Sequence, residues 1–263
     1  MQASALIQMR TQPVMRRVRF RNLRRSLKRT AIAHLYANVR PVIVVNEFPK
    51  SGGTWISAML AEMARLPFHD NVTPPVEPQV LKAHYYRRGL MPRGVLVWRD
   101  GRDVMSSFYF HSLFKFVDKP FNHAFVDHMR AKYRFRDYHD IRSNLPEFLE
   151  RELKRPSYPS FTWPEFASHW ADETRFVHVL YEDFSRDPSS SLHRLMLRIA
   201  PEHASEHRAR EVAERFSIKN AKGGAGQFVR RGKVGGWQDD YSPEAVEIFN
   251  HYGGGALRRL GYQ

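Results

Sequence analysis

Cysteine is absent from the 263 residues. Its absence excludes a disulfide framework, a thiolate metal site and a cysteine nucleophile, and leaves no need for an oxidising compartment. The chain also lacks any apolar run of about 18 residues that could cross a bilayer, and its opening, MQASALIQMRTQPVMRR, has no apolar centre of the kind a secretory signal carries. A cytoplasmic protein is the expectation. Acidic residues are missing from the first 40 positions, where Arg10, Arg16, Arg17, Arg19, Arg21, Arg24, Arg25, Lys28, Arg29 and Arg40 supply ten of the 42 basic residues. Set against 27 acidic residues, the basic excess gives a net charge of +15.

Phe20, Leu23, Leu27, Ala31 and Leu35 recur at three- and four-residue intervals through that basic segment, which therefore reads as an amphipathic helix. Two uses are open for it. Either the helix docks on the domain by its apolar stripe with the arginines in water, or residues 10–35 lie on an anionic membrane or an acidic partner, associating the protein with that surface. Hydrophobic residues make up 42% of the chain, enough at this length for one substantial core and too few for two ordinary domains. The expected organisation is a helical extension over 1–40 and a single domain over 41–263.

VIVVNEF, residues 42–48, is a short β-branched run of the type found in buried parallel strands. A helix is predicted from about Thr54 to Arg65, strands near Gln79–Ala83 and Gly94–Arg99, and a helix from Arg102 to about Phe116. Further on, WPEFASHWADE reads as a helix and RFVHVLYED as a strand, while PSSSLHRLMLRIA, Ala204–Phe216 and the segment from Pro243 read as helices. Strand alternating with helix implies right-handed βαβ units, hence an α/β fold of three layers with a central parallel sheet flanked by helices. Residues 111–165, rich in aromatics, histidine and proline, form an insertion or lid.

FPKSGGTW, residues 48–55, lies where the first strand becomes a helix. Backbone N–H groups in a first helical turn have no partner within the helix, and the helix dipole adds about half a positive charge there. Gly52 and Gly53 let the backbone close on a tetrahedral anion without Cβ clashes, and Lys50, Ser51 and Thr54 add donors and charge. This is a P-loop-like anion site. It departs from the triphosphate loop GxxxxGK[ST], because its lysine precedes the glycines and Trp55 follows the hydroxyl.

PKSGGTW resembles the PKSGTTW loop of the 3′-phosphoadenosine 5′-phosphosulfate (PAPS) dependent sulfotransferases. Four more segments fall in that family's order: LKAHY (81–85) is similar to its KTH segment, WRDGRDVMSSFYFH (98–111) to RxxxDxxxS, LYEDFSRDP (180–188) to its YED strand end, and VRRGKVGGW (229–237) to RKGxxGDW. The resemblance spans residues 42 to about 240 and implies a sulfotransferase that moves a sulfuryl group from PAPS to a hydroxyl by in-line displacement, without a metal.

By the same resemblance, Lys50 reaches the bridging oxygen or the sulfuryl group, Ser51, Gly52, Gly53 and Thr54 line the 5′-phosphate, and Trp55 stacks on adenine. Arg99 and Ser107 hold the 3′-phosphate, with Arg230, Arg231 and Gly232 closing over it. Tyr181, joined by Ser217, contacts the adenine side. His84 is the general base, Lys50 and Ser107 share in catalysis, and Lys82, Tyr85 and His111 border the acceptor. The acceptor pocket is expected in 111–165, where Phe114, Phe116, Phe121, Phe125, Tyr133 and Phe135 serve it or the core. The acceptor itself stays open among small-molecule, lipid and glycan hydroxyls, and so does the oligomeric state.

Three departures from the family pattern stand out: Gly53 removes a hydroxyl from the cradle, KAHYY replaces KTHLP beside the base, and GGW for GDW removes an acid. Two other functions compete on composition. A P-loop kinase or NTPase predicts magnesium dependence, and a basic module for nucleic acid or membrane predicts salt-sensitive binding without turnover. Neither accounts for five segments in one family's order, and no nucleic-acid partner is expected.

Overall fold

The structure, a computed structural model, describes residues 23–69, 73–114, 120–217 and 233–263. Strands β1 (Val42–Glu47), β2 (Gln79–Ala83), β3 (Gly94–Trp98) and β4 (Phe176–Leu180) form one parallel sheet in the order β2-β1-β3-β4. β1 pairs with β2 on one side and β3 on the other, Val44 facing both Leu81 and Gly94. The chain therefore leaves β1 in one direction and returns past it to β3. At such a reversal, the loops leaving the carboxyl ends of the two strands diverge and open a crevice.

Successive strand residues point to opposite faces, and here both faces are apolar. Val44, Leu96 and Trp98 join the core formed with α3 (Gly101–Leu113), α5 (Ile141–Lys154), α6 (Trp163–Trp170) and α11 (Pro243–Arg259). Val45, Val95 and Val97 join the core on the other side, with α2 (Gly53–Ala64), α8 (Pro188–Ile199) and α9 (Glu206–Arg215). Each large apolar side chain so enclosed contributes about 1.5–3 kcal/mol. The result is the three-layer α/β arrangement read from the sequence.

Helices α3, α5, α6, α8, α9 and α11 each begin on a side-chain cap, such as Asp100, which accepts from the Arg102 N–H. α2 begins instead on Gly52 at φ 94°, with no side-chain cap. The end of α2 that faces the crevice is therefore not closed by its own N-cap residue.

Three details depart from the expectations. α3 ends at Leu113, with Phe114 extended. The fourth strand stops at Leu180, which pairs with Trp98, the last residue of β3; with no further strand to pair, Tyr181 opens the short helix α7 (Tyr181–Arg186). The third concerns α1, residues 23–34. Docking by the Leu23, Leu27, Ala31, Leu35 stripe does not occur: these residues are exposed, and Ile32 and Ala33 enter the core instead. Beneath α1, Ile32 and Ala33 meet the main core, and Arg29 donates to the Lys82 carbonyl at the carboxyl end of β2. An arginine satisfies that acceptor and a leucine does not.

Within 111–165, α4 (Pro120–Lys132) and α5 place Met129, Tyr133, Leu145 and Phe148 in the main core. Tyr133 and Lys132 both donate to the buried Glu152 carboxylate, at 2.6 and 2.7 Å. Phe116 and the Phe121 side chain lie outside the described residues.

Candidate active site

The loop after β1 bends at Lys50, whose φ of 78° is unusual for a residue with a side chain. The bend sets Gly52 against Tyr181, so tightly that a Cβ at Gly52 would lie 2.4 Å from the tyrosine ring. At Gly53 a Cβ would lie 2.5 Å from the Glu47 carboxylate carbon, because that carboxylate accepts the Gly53 N–H at 2.5 Å. The two glycines thus have different reasons. Gly52 admits a ring and a left-handed backbone; Gly53 admits a buried acid from the end of β1.

Around this turn the structure gathers most of the residues predicted from sequence. Lys82 Nζ donates to Thr54 Oγ1, joining the end of β2 to the first turn of α2. Arg99, just beyond β3, donates to the Lys50 carbonyl at 3.2 Å and to the Lys233 carbonyl at 3.3 Å, with its guanidinium 4.5 Å above the Tyr181 ring. Trp55 meets Tyr181 edge to face at 6.1 Å, and its indole donates to the Phe216 carbonyl at 2.9 Å, next to Ser217. Ser51 is buried. Ser107 is half-buried on α3. Arg230, Arg231 and Gly232 lie outside the described residues.

His84 follows β2, with Nδ1 3.0 Å from the Glu47 backbone carbonyl. A carbonyl only accepts, so Nδ1 carries the hydrogen and Nε2 presents a lone pair. Burial pushes the His84 ring down to about 3, and Lys82, Arg29 and His111 add to the shift against the opposing carbonyl bond. His111, from α3, is also held at about 3, by burial and then by Lys50 and Lys82. Burial brings Lys50 down to about 8, with Lys82 and Arg99 assisting and Glu47 opposing. Cations from three strand ends and α1 therefore share one region. Their mutual repulsion is the electrostatic condition of an anion site.

Tyr85 sits differently from the others. Its backbone is clamped by Asn46, and its ring meets His34 edge to face at 5.4 Å beneath α1. Sequence reasoning assigned no role to Glu47, and none to Asp103 beyond that of an ion-pair partner for Arg99. Asp103 accepts from the Gly235 and Trp237 N–H groups, both at 2.8 Å, and lies 3.8 Å from Arg99. The carboxylate that holds the GGW turn thus comes from α3. The only signal for it was the aspartate inside RxxxDxxxS. Among the described residues no group of three or more acids or histidines could hold a metal ion.

A three-layer α/β fold that gathers Lys50, Lys82 and Arg99 at the strand ends around the start of α2 defines an anion-handling scaffold. Residues 78–261 match the family model for the sulfotransferase domain, and the chain belongs to that family, the PAPS-dependent class whose motifs it carries. The match begins after the PKSGGTW loop. Sulfotransferase 1 family member D1 of Rattus norvegicus is 22% identical over 262 residues, covering 79% of this chain and 80% of its own. A mouse sulfotransferase crystallised with PAP superposes with a TM-score of 0.60 at 15% identity, over 83% of this chain and 84% of that one. Retinol dehydratase in complex with androsterone and PAP superposes with a TM-score of 0.57 at 17% identity, over 88% and 85%.

Proposed function

We propose that residues 41–263 transfer a sulfuryl group from PAPS to a hydroxyl of a small-molecule, lipid or glycan acceptor, with His84 as general base. The observation that carries the reading is the junction of Lys50, Arg99 and Lys82 around the start of α2. The solved structures that hold PAP add support, one of them in complex with androsterone as well. PAPS would supply the activated sulfuryl group and a leaving phosphate. This chain's part is then to hold, align and neutralise.

The Gly52–Trp55 turn and Lys50 would hold the 5′ end of the donor. Arg99 and Ser107 would hold the 3′-phosphate, with Arg230, Arg231 and Gly232 over it and Tyr181, Trp55 and Ser217 beside the base. His84, with its proton fixed on Nδ1 by the Glu47 carbonyl, offers Nε2 to the acceptor hydroxyl. Burial is the larger cause of the depressed ring, and a multiply charged donor beside Lys82 offsets the positive field that adds to it, so His84 becomes a stronger base when the donor is bound. His111, with Phe125 at 6.2 Å, would border the acceptor together with Lys82 and Tyr85.

An acceptor screen with labelled PAPS tests the reading. His84→Ala should abolish turnover while leaving affinity for adenosine 3′,5′-bisphosphate unchanged. Transfer at the wild-type rate by His84→Ala, to any acceptor found, contradicts the assignment of the base.

A further inference from the structure

The outward face of α1 is apolar. Leu23 and Leu27 are 57% and 63% exposed, Leu35 just past the helix end is 61% exposed, and Ala31 between them is exposed as well. Residues four apart lie one above another on a helix, so this is a single ridge. It extends beyond α1: the Leu90 N–H donates to His34 Nδ1 at 2.9 Å and Asn38 donates to the Leu90 carbonyl at 3.2 Å, which fixes Leu90, 66% exposed, at the ridge's end. Val39, 75% exposed, stands at the same end. A connected set of large apolar side chains in water marks a contact surface.

The rim of the ridge selects the contact. Arg24 and Arg40 are exposed and Lys28 is half-buried, and the first 40 residues contain no acid to offset them. A second copy of this chain would bring one basic rim against another, which opposes association. An anionic bilayer supplies both complements: an apolar boundary for leucines and phosphate-bearing headgroups for arginine and lysine. We infer that α1 is a docking surface for anionic lipid membranes, with Leu23, Leu27 and Leu35 entering the headgroup boundary. No helix among the described residues is long and apolar enough to cross a membrane, so the contact is peripheral. The opposite side of α1 reaches Lys82 through Arg29, and the docked helix lies between the bilayer and the candidate site.

Co-sedimentation of the full chain with vesicles tests this. One set is phosphatidylcholine alone; the other mixes it with phosphatidylglycerol. Binding is expected to the mixed vesicles only, weakening as salt rises. Leu23→Ser/Leu27→Ser/Leu35→Ser should weaken it roughly tenfold or more, with the melting temperature and bisphosphate affinity retained. Arg24→Glu/Lys28→Glu should weaken it as well, which separates docking from any misfolding of the first variant. Equal binding to both vesicle types, or full binding by the leucine variant, overturns the inference. A concentration-dependent dimer lost in the leucine variant, without vesicle binding by the wild type, overturns it in favour of a second copy.

Discussion

Gly53 carries the least obvious requirement of any residue in the site. Read as sequence, it is a lost hydroxyl; in the structure it is the space that Glu47 fills. Gly53→Ala should therefore destabilise the protein by about 1–3 kcal/mol, the usual penalty of overpacking. Much of that loss should vanish in the Glu47→Ala background, where nothing fills the space. Urea unfolding of the two single variants and the double variant measures the coupling, and additive losses would mean that the two groups do not compete. Lys50 carries a second prediction. With its pKa brought to about 8, the side chain loses its charge as the pH rises through that value, and an anionic ligand must then bind with uptake of a proton. Affinity for adenosine 3′,5′-bisphosphate should fall above pH 8 in the wild type and show no such limb in Lys50→Ala. A flat profile in the wild type would place Lys50 away from the ligand's charge.

β1, β2 and β3 and the helix after the glycines were legible because each is a local pattern: a β-branched run, a turn signal, a helical period. His84 and Arg99 were legible by position, since each sits at a strand end within a recognisable segment. What the chain order hides is partnership between distant residues. Asp103 and the Gly235–Trp237 turn are bonded across more than a hundred residues, and a missing acid in GGW gave no hint that α3 supplies one. Likewise an amphipathic period identifies α1 as a helix but does not say which face docks. That depended on what lies beneath the helix, the main core around Ile32 and Ala33 and a backbone carbonyl at the end of β2, which a sequence does not display. Asp103 yields a test. Asp103→Ala removes the acceptor of two N–H groups and should cost about 1–3 kcal/mol of stability. It should also weaken bisphosphate binding, because the chain entering this turn is the one that carries Arg230 and Arg231. Calorimetry on the folded variant decides, and unchanged affinity would separate the turn from the ligand.

Taken as a whole, the fold concentrates positive charge at one end of its sheet and keeps two half-buried histidines neutral beside it. Neutrality has a stability consequence. His84 and His111 titrate near 3 when folded and near 6.5 when unfolded, so the unfolded chain binds more protons as the pH drops below 6.5. Their contribution is present above pH 6.5 and is lost progressively between 6.5 and 3. The melting temperature should fall through that window, and His84→Gln/His111→Gln should flatten the slope; an unchanged slope would mean that the rings are not held neutral. The central claim is that one crevice, assembled from the ends of β1, β2 and β3, grips both ends of a bisphosphorylated adenosine. Calorimetry comparing adenosine 3′,5′-bisphosphate with AMP, with and without magnesium, tests it most directly. The bisphosphate should bind without metal and more tightly than AMP, with the difference removed by Arg99→Ala at a loss of about 1–3 kcal/mol. Equal affinity for the two ligands, or binding only when magnesium is present, would contradict it.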